Sequence, residues 1–118
     1  MSNYVSFEAT DGSGKLPIKE PYSITTINNN INVVKCGQLV IVNILNWLDI
    51  TVSEVWTSVA IAKLPYKPVT RTMGTFTTPN NEYQNMCIYV GDDGVLYYNS
   101  SYYGDYSLSG HVVYITDD

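Results

Sequence analysis

Charge is scarce in this sequence. Charged residues make up 14% of its 118 residues, against about 25% in an average soluble domain. Six Lys and Arg stand against 11 Asp and Glu, a formal net charge of −5. No basic field is available for phosphates, so nucleic acid is excluded as a partner. Histidine is limited to His111, which has no second imidazole with which to share a metal. The apolar run Leu39 to Val42 stops at Asn43, and no apolar run is longer than five residues, far short of a membrane span, so no membrane insertion is expected. Met1-Ser2-Asn3-Tyr4 carries neither a basic nor an apolar segment, so no secretory signal is expected. Cysteine occurs only as Cys36 and Cys87. They either pair across two strands or are both reduced core residues, and the missing signal favours the second. No CxxC, HExxH, glycine-rich phosphate loop or GxSxG occurs, which leaves the common metal, nucleotide and hydrolase motifs without a carrier and no cofactor expected.

Apolar content is ample at 45%, and 11 tyrosines dominate the aromatics beside 2 Trp and 2 Phe. Moderate net charge with this much apolar residue argues against disorder. The length suits one domain, and it is enough to bury a core without metals or disulfides.

The texture is all-β: short runs of Val, Ile, Thr and Tyr alternate with Gly, Pro, Asn and Asp clusters. Residues 1–20 read as a lead-in with Val5 to Ala9 as an edge strand, and 21–118 as the domain. Tyr22 to Ile27 and Ile31 to Lys35 are expected strands around an Asn28-Asn29-Asn30 turn, because Asn tolerates positive φ and bonds its own backbone. Gln38 to Asn46 sets Val40, Val42 and Ile44 on one face and Leu39, Ile41 and Leu45 on the other. Apolar residues on both faces imply a central strand or a subunit interface. Trp47 to Val52 is expected to continue after a bend at Trp47-Leu48-Asp49, and Val55 to Ala62 to alternate with its small residues Ser58, Ala60 and Ala62 on one face. Pro65 and Pro68 forbid a central strand over Lys63 to Pro68. Val69 to Thr77 reads as one strand, and Tyr83 to Val90 as another with Met86, Ile88 and Val90 facing in. Gly91-Asp92-Asp93-Gly94 is the clearest hairpin signal. Val95 to Tyr98 returns, Asn99-Ser100-Ser101 is a loop, Tyr102 to Tyr106 is irregular, and Leu108 to Ile115 closes the chain. About nine or ten short strands at this spacing suggest an antiparallel β-sandwich or barrel.

Four segments carry a family resemblance. Val59-Ala60-Ile61-Ala62-Lys63-Leu64-Pro65-Tyr66-Lys67-Pro68 follows the strand Gly37-Gln38-Leu39-Val40-Ile41-Val42. The hairpin Cys87-Ile88-Tyr89-Val90-Gly91-Asp92-Asp93-Gly94-Val95-Leu96 comes next, and Gly110-His111-Val112-Val113-Tyr114-Ile115 ends the series. In order and spacing over residues 37–118 the chain resembles the C-terminal head domains of bacteriophage tail-fibre and baseplate receptor-binding proteins. Its loop at Leu64-Pro65-Tyr66 is shorter, lacking a Ser-Gly or Glu-Gly insertion. The resemblance implies a jelly-roll-like β-sandwich assembled as a homotrimer at the phage tail tip. It implies a virion protein assembled in the host cytoplasm, with a host cell-surface saccharide or protein and other virion tail proteins as partners. Some members of such families serve as trimerisation caps.

Five tyrosines cluster as Tyr97, Tyr98, Tyr102, Tyr103 and Tyr106, with Asn99, Ser100, Ser101 and Asp105 between them. Saccharides need apolar ring faces for C–H stacking and amide or carboxylate groups for their hydroxyls, and Tyr offers a large face at low entropy cost. Asn99, Tyr102, Tyr103, Asp105 and Tyr106 are therefore the expected saccharide-binding residues, with Tyr97 or Tyr98 in the core. Trp47 and Trp56 are expected in packing or a subunit interface, and the Pro65/Pro68 element in a rigid loop with Tyr66 packed on it. His111 falls on the strand face of Ser109, Val113 and Ile115, with no placed nucleophile beside it. Asp92-Asp93 and Asp11-x-Ser13 read as turns, because neither has the distal Glu of a calcium loop. Carboxylate pairs for glycoside hydrolysis are left open by spacing, but Glu is confined to Glu8, Glu20, Glu54 and Glu82, so a non-enzymatic binder is expected. The alternatives are a trimeric cap without ligand and a carbohydrate-binding module or small hydrolase of a cellular protein.

Overall fold

The computed structural model describes residues 21–79 and 85–118. Val5 to Ala9, the Asp11-x-Ser13 turn and the start of the Tyr83 strand lie outside the described residues. Among the described residues there are strands and no helix: β1 (Tyr22–Thr26), β2 (Ile31–Cys36), β3 (Leu39–Val52), β4 (Ser58–Lys63), β5 (Thr72–Met73), β6 (Thr75–Thr77), β7 (Met86–Val90), β8 (Val95–Ser100) and β9 (Gly104–Ile115). They form two antiparallel sheets, a five-stranded one ordered β1-β2-β3-β9-β6 and a four-stranded one ordered β4-β8-β7-β5. The pairs β3·β9, β4·β8 and β5·β7 are nested in sequence. One core joins the facing sides: Val33, Val42, Ile44 and Val112 from the first sheet, Ile88, Val90, Leu96 and Tyr98 from the second. Burying each such side chain contributes about 1.5–3 kcal/mol relative to exposure.

Local chemistry explains the turns. Asn28 Oδ1 accepts the Asn30 N–H at 2.7 Å, closing the expected β1–β2 turn. In the β7–β8 turn Gly94 has φ +79° and its N–H donates to Gly91 O at 2.9 Å. The Asp93 carboxylate caps the same turn, accepting the Val95 N–H at 3.1 Å.

Alternation along β3 is as expected up to Ile44, with Val40, Val42 and Ile44 buried. Past Ile44 the chain continues as a single bulged strand, rather than as two strands around a bend. The β3·β9 register passes from Ile44↔Gly110 to Leu48↔Leu108, so three residues of β3 face one of β9. Asn46 (φ 60°) and Trp47 (φ 54°) take up the surplus in the left-handed region, where Asn is tolerated and Trp is strained. Asparagines of the first turn clamp the bulge: Asn30 Nδ2 donates to Leu45 O at 2.8 Å, and Asn46 Nδ2 donates to Asn29 O at 3.0 Å. The surplus of two preserves side-chain parity, so Ile50 and Val52 are buried like Val42 and Ile44.

Three other expectations are corrected. Val69 to Thr77 is not one strand but two short ones in different sheets, β5 pairing with β7 and β6 with β9. Gly74 makes the crossing: a Cβ there would lie 2.7 Å from His111 O. The strand expected from Val55 begins at Ser58, and its register shifts between Ala60 and Ala62. That irregularity leaves Ala60 exposed and turns Ala62 toward the core, so the small residues do not share one face. Cys36 and Cys87 lie in different sheets and are half-buried rather than core residues, with no disulfide between them.

The Pro65/Pro68 loop is as expected. Tyr66 packs against the core, its carbonyl accepts the Tyr114 hydroxyl at 2.6 Å, and Pro68 bridges to Thr116. Burial pushes the Tyr114 hydroxyl up to about 12, with the negative charge of Asp118 adding to the effect.

Candidate functional site

Beyond the bulge, β3 and β9 extend as a two-stranded arm. Buried Ile50 and Val52 alternate with Asp49 and Thr51, which therefore stand on the outer face of the five-stranded sheet. Across the ladder Asp49 faces Ser107 and Thr51 faces Asp105. Both pairs are closed by hydrogen bonds: Ser107 Oγ donates to Asp49 Oδ1 at 2.7 Å, and Thr51 Oγ1 donates to Asp105 Oδ1 at 2.9 Å. Each carboxylate keeps its second oxygen, so the face offers acceptors held in place by neighbouring hydroxyls.

The β8–β9 loop rises beside this ladder. Ser100 Oγ is buried under it, donating to Tyr102 O at 2.9 Å and accepting the Tyr102 N–H at 3.2 Å. The Ser101 N–H donates to Asn85 O at 2.8 Å. A loop pinned this way presents its side chains with little further ordering on binding. Tyr102 is 60% exposed and Tyr103 67% exposed. Trp56 joins the same end, because its N–H donates to Ser100 O at 2.8 Å, and it is 77% exposed. Its φ of 58° is left-handed, a strained state for a bulky residue.

Of the five expected saccharide-binding residues, Tyr102 and Tyr103 are exposed on the β8–β9 loop, and Asp105 follows on β9 opposite Thr51. The other two are placed differently. Tyr106 pairs with Ile50 and packs against the core, its hydroxyl donating to Tyr103 O at 3.3 Å, so it supports the loop from below. Asn99 is not in a loop; it belongs to β8 and faces outward from the other sheet, where its Nδ2 donates to Ser58 Oγ at 3.3 Å. The stretch read as irregular is ordered from Gly104 onward as β9. Tyr98 is the core member of its pair, as expected. Trp47 and Trp56 are exposed rather than packed away. Asp49, Thr51, Ser107 and Trp56 are the residues that sequence reasoning missed. The alternation Leu48, Ile50, Val52 already assigns Asp49 and Thr51 to the opposite face, but the cross-strand partners depend on a register that the bulge sets.

The outer face of the four-stranded sheet holds a second aromatic group with a different character. The Arg71 guanidinium lies 4.2 Å from the Tyr89 ring centroid, and Tyr89 stacks on Tyr97 at 5.3 Å. Tyr89 donates to Ser58 Oγ, and Tyr97 donates to Asp93 Oδ2 at 2.5 Å. That bond holds the Asp93 carboxyl below its ordinary range and raises the Tyr97 phenol. The groups of this ladder satisfy one another, and Tyr89 is buried among them.

His111 is exposed, with Nε2 3.3 Å from the Thr75 hydroxyl oxygen. Among the described residues, no three His, Cys, Asp or Glu side chains gather as a metal site. No protein-family model matches this chain, and no curated protein matches it in sequence.

Proposed function

We propose that this chain is a head domain of a phage tail-fibre or baseplate protein that attaches the virion to a host-surface saccharide without catalysing its conversion. The reading takes the nested strand pairs as a jelly-roll-like sandwich and the assembled form as a homotrimer. One observation carries the binding role: exposed Trp56, Tyr102 and Tyr103 lie at the same end of the molecule as the two-stranded arm that carries the Asp49/Ser107 and Thr51/Asp105 pairs. Ring faces for C–H stacking next to fixed hydroxyl acceptors are the chemistry a neutral saccharide requires. Each site is shallow, so useful attachment comes from several identical sites acting together.

The test is a glycan array probed with the whole chain and with the Tyr102→Ala/Tyr103→Ala double variant. Selective binding that drops at least about tenfold in the variant supports the reading, that being the scale of lost aromatic stacking. Binding unaltered in the variant moves the site elsewhere. A chain that binds no glycan favours the trimeric cap, for which the exposed apolar side chains Ile24, Val113 and Ile115 on the same sheet already speak.

A further inference from the structure

We propose that the half of the five-stranded sheet's outer face lying on the near side of the bulge is the surface through which copies of this chain pack on one another. This rests on the reading of the protein as an assembly of identical chains, and it names the surface that reading leaves open.

Register aligns the outward side chains of the sheet into cross-strand rows. One row runs Tyr22–Cys36–Leu39–Ile115, and the next Ile24–Val34–Ile41–Val113. Both are apolar from the edge strand β1 across to β9. Their exposure is high for apolar side chains: Ile24 59%, Val113 42% and Ile115 47%. A third row, Thr26–Asn32–Asn43–His111–Thr75, borders them with amides and hydroxyls. Within it Asn43 Nδ2 donates to Asn32 Oδ1 at 2.9 Å.

The choice of occupant rests on charge and size. The chain has a net charge of −5, yet no described carboxylate lies in these rows. Asp49 and Asp105 are beyond the bulge, Glu54 follows β3, Asp92 and Asp93 are in the β7–β8 turn, and Asp117 and Asp118 follow β9. Lys35 is on the opposite side of β2, its Nζ over the Tyr66 ring at 5.4 Å. Two acidic copies can therefore meet here with no like charges opposed. The border row is self-complementary, because every Asn carries both donor and acceptor. With Tyr22 67%, Ile24 59%, Leu39 39%, Val113 42% and Ile115 47% exposed, the patch is on the order of 500 Å², at the upper end for a monomer's free surface. With the polar border added it approaches the roughly 800 Å² per partner of a stable interface. A depression of about 350 Å³ beside the rows, lined by Leu45, Phe76 and His111 among others, provides a recess for a neighbour's protruding side chain.

The experiment is sedimentation equilibrium of the full chain across micromolar concentrations, with Val113→Lys, Ile24→Lys and, as a control off this face, Glu54→Lys in the exposed β3–β4 loop. Exposed positions tolerate such changes within about 0.5 kcal/mol of fold stability, and an unchanged circular dichroism spectrum checks it. The expected result is an oligomeric wild type and control, with both face variants weakened about a hundredfold or more, since each buries an unpaired charge. Should a lysine variant unfold, Val113→Thr keeps the side-chain shape and is expected to weaken association at least about fivefold. An oligomer that all the face variants leave intact overturns this surface but not the assembly. A dimer dissociated by the variants supports the surface and overturns the trimer. A wild type that stays monomeric overturns both.

Discussion

The outer face of the five-stranded sheet is two surfaces joined at Asn46 and Trp47. On the near side two apolar rows, Tyr22–Cys36–Leu39–Ile115 and Ile24–Val34–Ile41–Val113, are bordered by amides and hydroxyls, and none carries a carboxylate. On the far side the same two strands, β3 and β9, present Asp49, Thr51, Asp105 and Ser107 in hydrogen-bonded pairs. Backbone geometry and inner packing are alike in the two halves, with Val42 and Ile44 buried in one and Ile50 and Val52 in the other. Within these two strands the halves differ most in the outward set, where packing imposes no choice. On the proposed reading the two halves meet different partners: copies of the chain on the near side, a hydroxylated ligand on the far side.

The largest expected effect comes from moving the boundary. Deleting Asn46 alone flips the parity of everything beyond it and turns Ile50 and Val52 outward. The cost is about 4 kcal/mol from those two side chains, a large share of a domain's roughly 5–15 kcal/mol, and it is read as a drop in urea midpoint. Deleting Asn46 and Trp47 together keeps parity. It loses the bonds from Asn46 to Asn29 O, from Asn30 to Asn46 O and from the Trp47 N–H to Ser109 Oγ, but it also removes a strained left-handed Trp costing about 1–2 kcal/mol. That variant is expected within about 2 kcal/mol of wild type, and an equal loss in the two deletions would contradict the parity account.

Next in size is Val113→Lys, expected to abolish self-association while leaving glycan binding per chain intact. Asp105→Asn is its counterpart on the far side. It keeps the amide oxygen as an acceptor for Thr51 but removes the charge, so stability should change by less than about 1 kcal/mol. Saccharide affinity should fall about tenfold, because hydrogen bonds to charged groups are the stronger ones. If Asp105→Asn instead dissociates the oligomer, the two halves are not separate surfaces.

The smallest effect belongs to the inner side, which serves neither half. Tyr114 is held neutral by burial, its folded pKa raised to about 12. A raised pKa contributes stability that is fully present below the unfolded value near 10 and is lost as pH rises toward the folded value. Wild type should therefore lose stability between about pH 10 and 12. Tyr114→Phe should lack that component of the loss, at the expense of the hydrogen bond to Tyr66 O, about 1 kcal/mol at neutral pH. Denaturant midpoints at the two pH values check it.

Much of the fold is legible in residue order. Alternation places Val40, Val42 and Ile44 inward, and Asn28 to Asn30 and Gly91 to Gly94 carry recognisable turn chemistry. The rest depends on long-range contacts. Gly74 reads locally as one residue of a Thr-rich strand, and its role emerges only where His111 approaches its backbone. The bulge is invisible to alternation because its surplus of two residues leaves parity unchanged. Tyr102, Tyr103 and Asp105 are legible as neighbours in sequence, whereas Asp49, Thr51 and Trp56 reach them only through pairing across β3, β8 and β9. Asn99, two residues before the loop, is carried off by β8 to the other sheet.

The central claim is that the far half binds the ligand and the near half does not. Amide chemical-shift mapping of the labelled chain, titrated with the best saccharide from the array, tests it most directly. The expected shifts cluster at Thr51, Trp56, Tyr103 and Asp105. Shifts centred on Val34, Ile41 and Val113, or shifts spread evenly over both halves, would contradict it.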